Sequence, residues 1–163
     1  MQQIRYAEAM AKSAGTGRRS DCPISIALEL LGDVWSLLIV RDLMFKGRKT
    51  YKEFLEGGEG IASNVLAARL KRLEAVGIIS SRPDPDDARR RLFILTELGI
   101  ALAPVLVEVV IWSATHFQTA APRAVTKRMV EQREKILDEV RALWSVEVRK
   151  LAPERATRKR KSA

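Results

Sequence analysis

One cysteine, Cys22, and one histidine, His116, occur in the 163 residues. A single thiol excludes an intrachain disulfide framework and any multi-cysteine metal site. A single imidazole leaves zinc or iron chemistry short of soft ligands. Ser-His or Cys-His nucleophilic machinery would rest on His116 alone, and no acid/base constellation stands beside it. The sequence therefore predicts neither a cofactor nor an enzyme. No uninterrupted apolar run reaches the roughly 20 residues of a membrane span. The start MQQIRYAEAM lacks the basic-then-apolar layout of a secretory signal, so a soluble, cytoplasmic protein with no membrane partner is expected. A hydrophobic content of 47% suffices for the core of one ordinary domain.

The formal charge of +9 is unevenly spread. Residues 118–163 hold 13 Lys/Arg against 6 Asp/Glu, leaving 16 against 14 for residues 1–117. A basic chain suits a polyanionic partner, yet most of the excess lies in the C-terminal part. Local placement of charge has to identify the site.

Residues 1–14 have helix-favouring composition and are followed by the break Ser13-Ala14-Gly15-Thr16-Gly17. Pro23 opens a helix (ISIALELLG) with Asp21 as its cap and Gly32 as its stop. From Val34 to Phe45, Leu37, Leu38, Val40, Leu43 and Met44 recur at helical spacing, and Gly47 ends that element. Thr50, with Glu53 three residues on, forms a capping box for a third helix reaching Leu55. Gly57-Gly58-Glu59-Gly60 is the turn after it.

A fourth helix, about Ala62 to Val76, carries Leu66, Leu70 and Leu73 as one core-facing stripe. At roughly 100° per residue, Asn64, Ala68, Lys71 and Ala75 fall opposite, with Ser63, Ala67 and Arg72 flanking. A face this short and polar can approach base edges, Ser and Asn bonding to them and Ala meeting thymine methyl groups. A solvated surface helix has a similar face. The residues that follow favour the first reading. Gly77 stops the helix, Ile78 to Arg82 and Leu92 to Leu95 read as strands, and Pro83 to Arg91 joins them as a wing. Its tip sets Arg89, Arg90 and Arg91 after Asp84, Asp86 and Asp87. Those arginines either reach phosphates or a minor groove, or pair with the acids.

The blocks CPISIALELLGDVWSLLIVRDL, YKEFLEG, GIASNVLAARLKRLEAVGIISSR and LTELGIALAPVLVEVVIWS, in that order, resemble the HxlR-type winged helix-turn-helix transcriptional regulators, relatives of the MarR group. The resemblance covers roughly residues 20–117. It implies a mainly α fold with a small β wing and a dimeric bacterial regulator, with double-stranded DNA as partner and the helix from Ala62 in the major groove. Carried onto this chain, Ser63, Asn64, Ala67 and Lys71 become base readers, and Arg89, Arg90 and Arg91 wing contacts. Arg69 and Arg72 flank the reading face within reach of phosphates, and Thr50 and Lys52 are candidates for backbone clamping. Two departures stand out. Ala62 takes the family's helix-start serine position, which shifts the expected cap to Ser63. DDARRRLF replaces a Pro-rich loop with a Val-Glu-Tyr strand start.

Some members of that family sense oxidants or electrophiles through a cysteine placed like Cys22, which makes it a candidate redox sensor with any disulfide intersubunit. A helix N-terminus also raises a thiol's thiolate fraction. Against this stands a small buried apolar residue, the common state of a free cysteine. Trp35, inside an apolar helix, reads as core packing. The helix Ala101 to Phe117 carries Leu102, Val105, Leu106, Val109 and Val110, with His116 near its end. In the family such a helix contributes to the dimer interface; it can equally cap its own core. Past the boundary Ala120-Ala121-Pro122, Val125 to Leu151 reads as one further helix with Met129, Ile136, Val140, Leu143 and Trp144 on one face. It serves dimerisation or packing first and partner docking second. The expected division is an N-terminal helical arm (1–19), the winged helix-turn-helix unit (20–117), a helical extension (118–152) and a basic, disordered tail (153–163). A winged-helix protein-interaction module without specific DNA binding is the alternative function. An effector, small molecule or oxidant, is left unidentified by the sequence.

Overall fold

A computed structural model of the chain describes residues 19–150. The helical arm and basic tail expected at the two ends lie outside the described residues, Arg19 apart. Four helices come first: α1 (Pro23–Leu31), α2 (Ser36–Phe45), α3 (Tyr51–Leu55) and α4 (Ser63–Ala75). The hairpin β1 (Ile79–Pro83) and β2 (Arg91–Leu95) follows, then α5 (Glu97–Ile100), α6 (Ala103–His116), α7 (Arg123–Glu131) and α8 (Arg133–Lys150). The fold is mainly helical with a small β wing.

Local chemistry explains most boundaries. Thr50 accepts the Glu53 amide at 3.3 Å, while the Glu53 carboxylate accepts the Thr50 amide and hydroxyl, each at 2.8 Å. This is the expected capping box. Partial burial of Glu53 opposes its ionisation, but the Lys49 and Thr50 amides and the Thr50 hydroxyl outweigh it and hold the carboxyl below its ordinary range. Gly77, at φ +76, turns the chain from α4 into the wing, a backbone conformation open to glycine. Gly99 is required for space instead, since a Cβ there would lie 2.2 Å from the Ile78 carbonyl oxygen.

Several sequence expectations change. The cap of α1 is Cys22, with no side-chain bond, and not Asp21. The second helix starts at Ser36 rather than Val34, because Asp33 accepts the Trp35 and Ser36 amides at 2.9 and 3.0 Å and the Ser36 hydroxyl at 2.5 Å. Burial penalises the Asp33 charge, but the Ser36 hydroxyl, the two amides and Arg69 together lower its pKa. Trp35 is thereby set at a helix entrance, half-buried, and not in the core. The helix expected from Ala101 begins at Ala103, since Thr96 caps the separate short α5 by accepting the Gly99 amide. The single helix expected over 125–151 breaks at Gln132 into α7 and α8. Leu143 is turned outward, 72% exposed, while Ile136, Leu137 and Val140 face inward.

One apolar cluster joins these elements. Leu66, Leu70 and Leu73 of α4 meet Val40 of α2, Phe54 of α3, Phe93 of β2, Leu106 and Val107 of α6 and Leu137 of α8. The rings of Phe54 and Phe93 lie 6.1 Å apart. Residues of α8 therefore enter the same core as the helix-turn-helix. The Trp144 indole donates to the Leu95 carbonyl at the base of the wing at 2.9 Å, and Glu147 pairs with Lys49. By length and composition the stretch Glu97–His116, at mean hydropathy 1.9, is apolar enough to cross a membrane. In this fold its inner side, Ala103, Leu106 and Val107, is buried in the common core.

Candidate nucleic-acid interface

The outward face of α4 consists of Ser63, Asn64, Ala67, Ala68 and Lys71, all exposed, with the leucine stripe on the reverse. Burial of that stripe fixes the rotation of the helix about its axis, and so fixes which side chains look out. The cap is Ala62 itself, extended and without a side-chain bond, so the expected shift of the cap to Ser63 does not occur. Instead the first turn of α4 is held from α3. The Tyr51 hydroxyl donates to the Ser63 carbonyl at 2.6 Å. No pattern in the sequence marks that bond.

The preceding residue, Thr50, forms an isolated antiparallel bridge with Leu92 of β2, and the Phe93 amide donates to the Lys49 carbonyl at 2.7 Å. Two consecutive residues, Thr50 and Tyr51, thus tie the wing strand and the start of α4 to the entrance of α3. This short stretch of backbone, together with the Ser81 amide and hydroxyl of β1 donating to Glu74 of α4 at 3.1 and 2.6 Å, sets the relative placement of helix and wing. Lys52 points to solvent with a loose contact to Glu56 at 3.7 Å, its side chain 82% exposed.

The wing hairpin pairs Ile79 with Leu95 through Pro83 with Arg91 in antiparallel register. Its three arginines have different surroundings. Arg90 donates through Nε to Asp84 at 2.6 Å, and the Asp84 carboxylate, itself buried, also accepts the Asp86 amide at 2.9 Å. That amide, with Arg90 next, holds the Asp84 carboxyl below the usual carboxylate range. Arg91 lies over the strand and donates to the Ser81 hydroxyl, its Nε at 3.1 Å. Arg89 has its side chain 93% exposed at the tip and, among the described residues, pairs only with Asp87, at 3.3 Å. The acidic cluster therefore shapes the loop through Asp84 and Arg90 and leaves Arg89 projecting.

Arg69 and Arg72, at the side of the open face, are engaged by neighbouring elements. Arg69 Nε lies 3.2 Å from Asp33, and Arg72 donates to the Glu29 carbonyl, so both brace α4 against α1 and the entrance of α2. Beneath the turn between α3 and α4 lies a second feature absent from the sequence reading. Asp42, 4% exposed, takes Arg41 at 2.6 Å, Arg48 at 2.8 Å and Lys46 at 3.8 Å. Arg48 also donates to the Gly57 carbonyl at 3.2 Å, and Arg41 reaches Glu59 at 2.8 Å. The carboxylate thereby fastens α2 to the helix-turn-helix turn. An aspartate inside an apolar helix was the available signal.

Cys22 is exposed, which overturns its reading as a buried apolar residue. On α6 the outer side is apolar and open: Val105 and Val109 are 46% and 44% exposed, and Trp112 58%. Among the described residues, no cluster of His, Cys, Asp and Glu has the arrangement of a metal site.

A helix held at its first turn, backed by core and flanked by a hairpin with a projecting arginine, defines a winged helix-turn-helix DNA-binding protein. Residues 30–121, more than half of the chain, match the HxlR-like helix-turn-helix family. The chain belongs to that family, whose members among its relatives are transcriptional regulators, not enzymes. It is 38% identical over 93 residues to the HTH-type transcriptional regulator YodB of Bacillus subtilis, covering 56% of this chain and 82% of that one. The reduced form of YodB superposes with a TM-score of 0.50 over 60% of this chain and 95% of YodB, at 35% identity. The oxidized form of the redox regulator HypR gives 0.54 at 25% identity over 60% of this chain and all of HypR. For the HTH-type regulator sll1512 of Synechocystis, 36% identical over 86 residues, the match takes in 53% of this chain and 63% of the relative's length.

Proposed function

We propose that this chain is a bacterial, cytoplasmic repressor that binds a pseudo-palindromic operator as a homodimer. In this reading α4 enters the major groove and the wing lies on flanking backbone or in the minor groove. The observation that carries it is the uncovered small polar face of α4, tied through Thr50 and Tyr51 to the wing. Ser63, Asn64, Ala67 and Lys71 read base edges, Arg89 supplies the wing contact, and Thr50 and Lys52 approach the backbone at the N-terminal end of α3. Arg90 and Arg91 shape the wing, and Arg69 and Arg72 hold α4 at its angle. Operator occupancy represses by excluding other proteins from the same DNA.

Selection of bound duplexes from a random pool, then gel shifts over a salt series, test this assignment. Asn64→Ala is expected to change base preference at one position, costing roughly 1–3 kcal/mol there. Arg89→Ala should weaken all sequences alike and reduce the salt slope by about one. An Asn64→Ala protein that keeps the parent's preference removes Asn64 from the reading set.

The homodimer rests on α6. Val105, Val109 and Trp112 form an open apolar strip on a helix whose other side is buried in the core, and an isologous contact covers it. Two recognition helices then fall about one DNA turn, roughly 34 Å, apart. Trp112→Asp is expected to shift sedimentation from dimer to monomer with the helical circular dichroism retained. A parent protein that sediments as a monomer at micromolar concentration overturns the proposal.

Cys22 is assigned as an oxidant-responsive thiol, supported by its exposure at the cap of α1 and by likeness to a regulator described as a redox regulator. Under diamide, the parent should lose operator binding and run as a crosslinked dimer on a non-reducing gel, while Cys22→Ser should do neither. Equal sensitivity of the two proteins removes the assignment.

A further inference from the structure

Between the C-terminal end of α6 and the outer face of α7 lies a cleft of about 560 Å³, lined in part by Phe117, Thr126, Val130, Arg123, Lys127 and Glu131. Its volume is that of a small-molecule site. Half of its lining, including both of its cationic residues, lies beyond residue 121, where the match to the family ends. The DNA-reading surface makes no use of it.

We propose that this cleft binds a small organic monoanion with an aromatic or branched apolar body. Its carboxylate sits on Arg123 and Lys127, and its apolar part lies against Phe117 and Val130. Four residues of α7, at positions 123, 126, 127 and 130, repeat at intervals of three and four and therefore share one side of the helix. The opposite side is anchored by Met129, which is buried in the core. The lining face is thus set by packing and does not depend on a ligand.

The charge in the cleft is available. On the C-terminal helices, Arg128 pairs with Glu139 at 2.6 Å, Arg133 with Glu108 at 2.6 Å and Arg141 with Asp138 at 3.6 Å. Arg123 has no carboxylate partner among the described residues. Among the described residues Lys127 meets only Glu131, at 3.8 Å with both side chains largely exposed, a contact that water screens and a bound carboxylate can replace. Pro122, the cap of the nine-residue α7, contributes no side-chain acceptor, so the positive end of the helix adds to the same spot. Charge-assisted bonds from a guanidinium and an ammonium recognise a carboxylate. With Glu131 one turn along the same helix from Lys127, the ionised lining sums to a single positive charge, which favours a monoanion over a phosphate dianion. Phe117 and Val130, 59% and 58% exposed, provide apolar surface that a ligand body removes from water.

The cleft also carries its own optical reporter. The Phe117 ring meets Trp112 edge-on at 5.3 Å, so a body packed on Phe117 changes the surroundings of that indole. Because Trp112 belongs to the open strip of α6, occupancy is coupled to pairing of two copies. That last step rests on the homodimer proposed above, whereas binding itself does not.

The test uses the full-length protein without DNA, titrated separately with benzoate, phenylacetate and 3-methylbutanoate, with tryptophan emission and calorimetry as readouts. At least one should bind saturably with a dissociation constant in the submillimolar to millimolar range. Benzyl alcohol and inorganic phosphate should not. Arg123→Gln and Phe117→Ala should each weaken binding about tenfold or more, while Arg128→Gln, outside the cleft, should leave it unchanged, all with the parent's thermal unfolding profile. Absence of saturable binding by all three acids overturns the site, as does benzyl alcohol binding as tightly as benzoate. Unchanged affinity in Arg123→Gln overturns it as well. Since no DNA is present, failure here is distinct from failure of the operator reading.

Discussion

Asp42→Ala should destabilise the protein by about 2–3 kcal/mol, seen as a lower urea midpoint with an unchanged slope. The carboxylate is 4% exposed and receives Arg41, Arg48 and Lys46. Its removal leaves those cations facing one another around a small void, with Glu59, on Arg41, as the counter-charge that remains. Breaking a fully buried pair by deleting one member costs about 3–5 kcal/mol. The three cations here are partly wet, with side-chain exposures of 21%, 26% and 41%, so solvent recovers some of the loss. Asp42→Asn, which keeps the volume and one acceptor, should fall between parent and alanine variant. The same deletion removes the anchor on α2 that holds Arg48 against the Gly57 carbonyl of the turn before α4, so operator affinity should drop even where the protein remains folded. A change below about 0.5 kcal/mol would mean that water replaces the carboxylate at little cost, the usual result at surface positions.

Ala67→Glu should reduce operator affinity about 100-fold or more at physiological salt while leaving unfolding within about 0.5 kcal/mol of the parent. Ala67 is exposed on α4, so the substitution disturbs no packing. Glutamate is nearly as good a helix former as alanine, and the secondary structure should persist. On the proposed interface the consequences are severe. A longer side chain occupies the space where a base edge would lie, and its carboxylate meets the phosphates' charge in a partly desolvated groove. Two losses, of shape and of charge, act at one position. Gel shifts against the selected operator, with circular dichroism as the fold control, measure it. An Ala67→Glu protein that binds as tightly as the parent would place the DNA elsewhere on the surface.

What could be read in the sequence follows from how far apart the interacting residues are. The Thr50–Glu53 capping box spans three residues, and it forms as its spacing requires. Leu66, Leu70 and Leu73 lie within two turns of helix, so their periodicity alone determined the buried side of α4 and, by exclusion, its open side. The hairpin, with Gly77 before it, is local in the same sense. Capping residues were less legible. Asp21, Asp33 and Cys22 all stand close to helix starts, and which of them bonds depends on backbone angles set by packing. The break at Gln132 was missed because residues 125–151 carry no proline or glycine and keep an apolar period across it.

The sequence by itself determined the order of helices, the hairpin after α4 and the residues that α4 turns away from the core. Each is a matter of near-neighbour spacing and of apolar surface leaving water. Only the tertiary structure decided what the charged residues do. Sequence position set Lys52, Arg69, Lys71, Arg72, Arg89, Arg90 and Arg91 all toward the DNA. Folding ties Arg72 to a carbonyl 43 residues earlier, Arg69 to Asp33 and Arg90 to Asp84, and leaves Arg89 and Lys71 in solvent. The same holds for α8, whose Trp144 finds a wing carbonyl 49 residues back. A charge or an indole finds its partner through the three-dimensional path of the backbone, and residue spacing contains no record of that path.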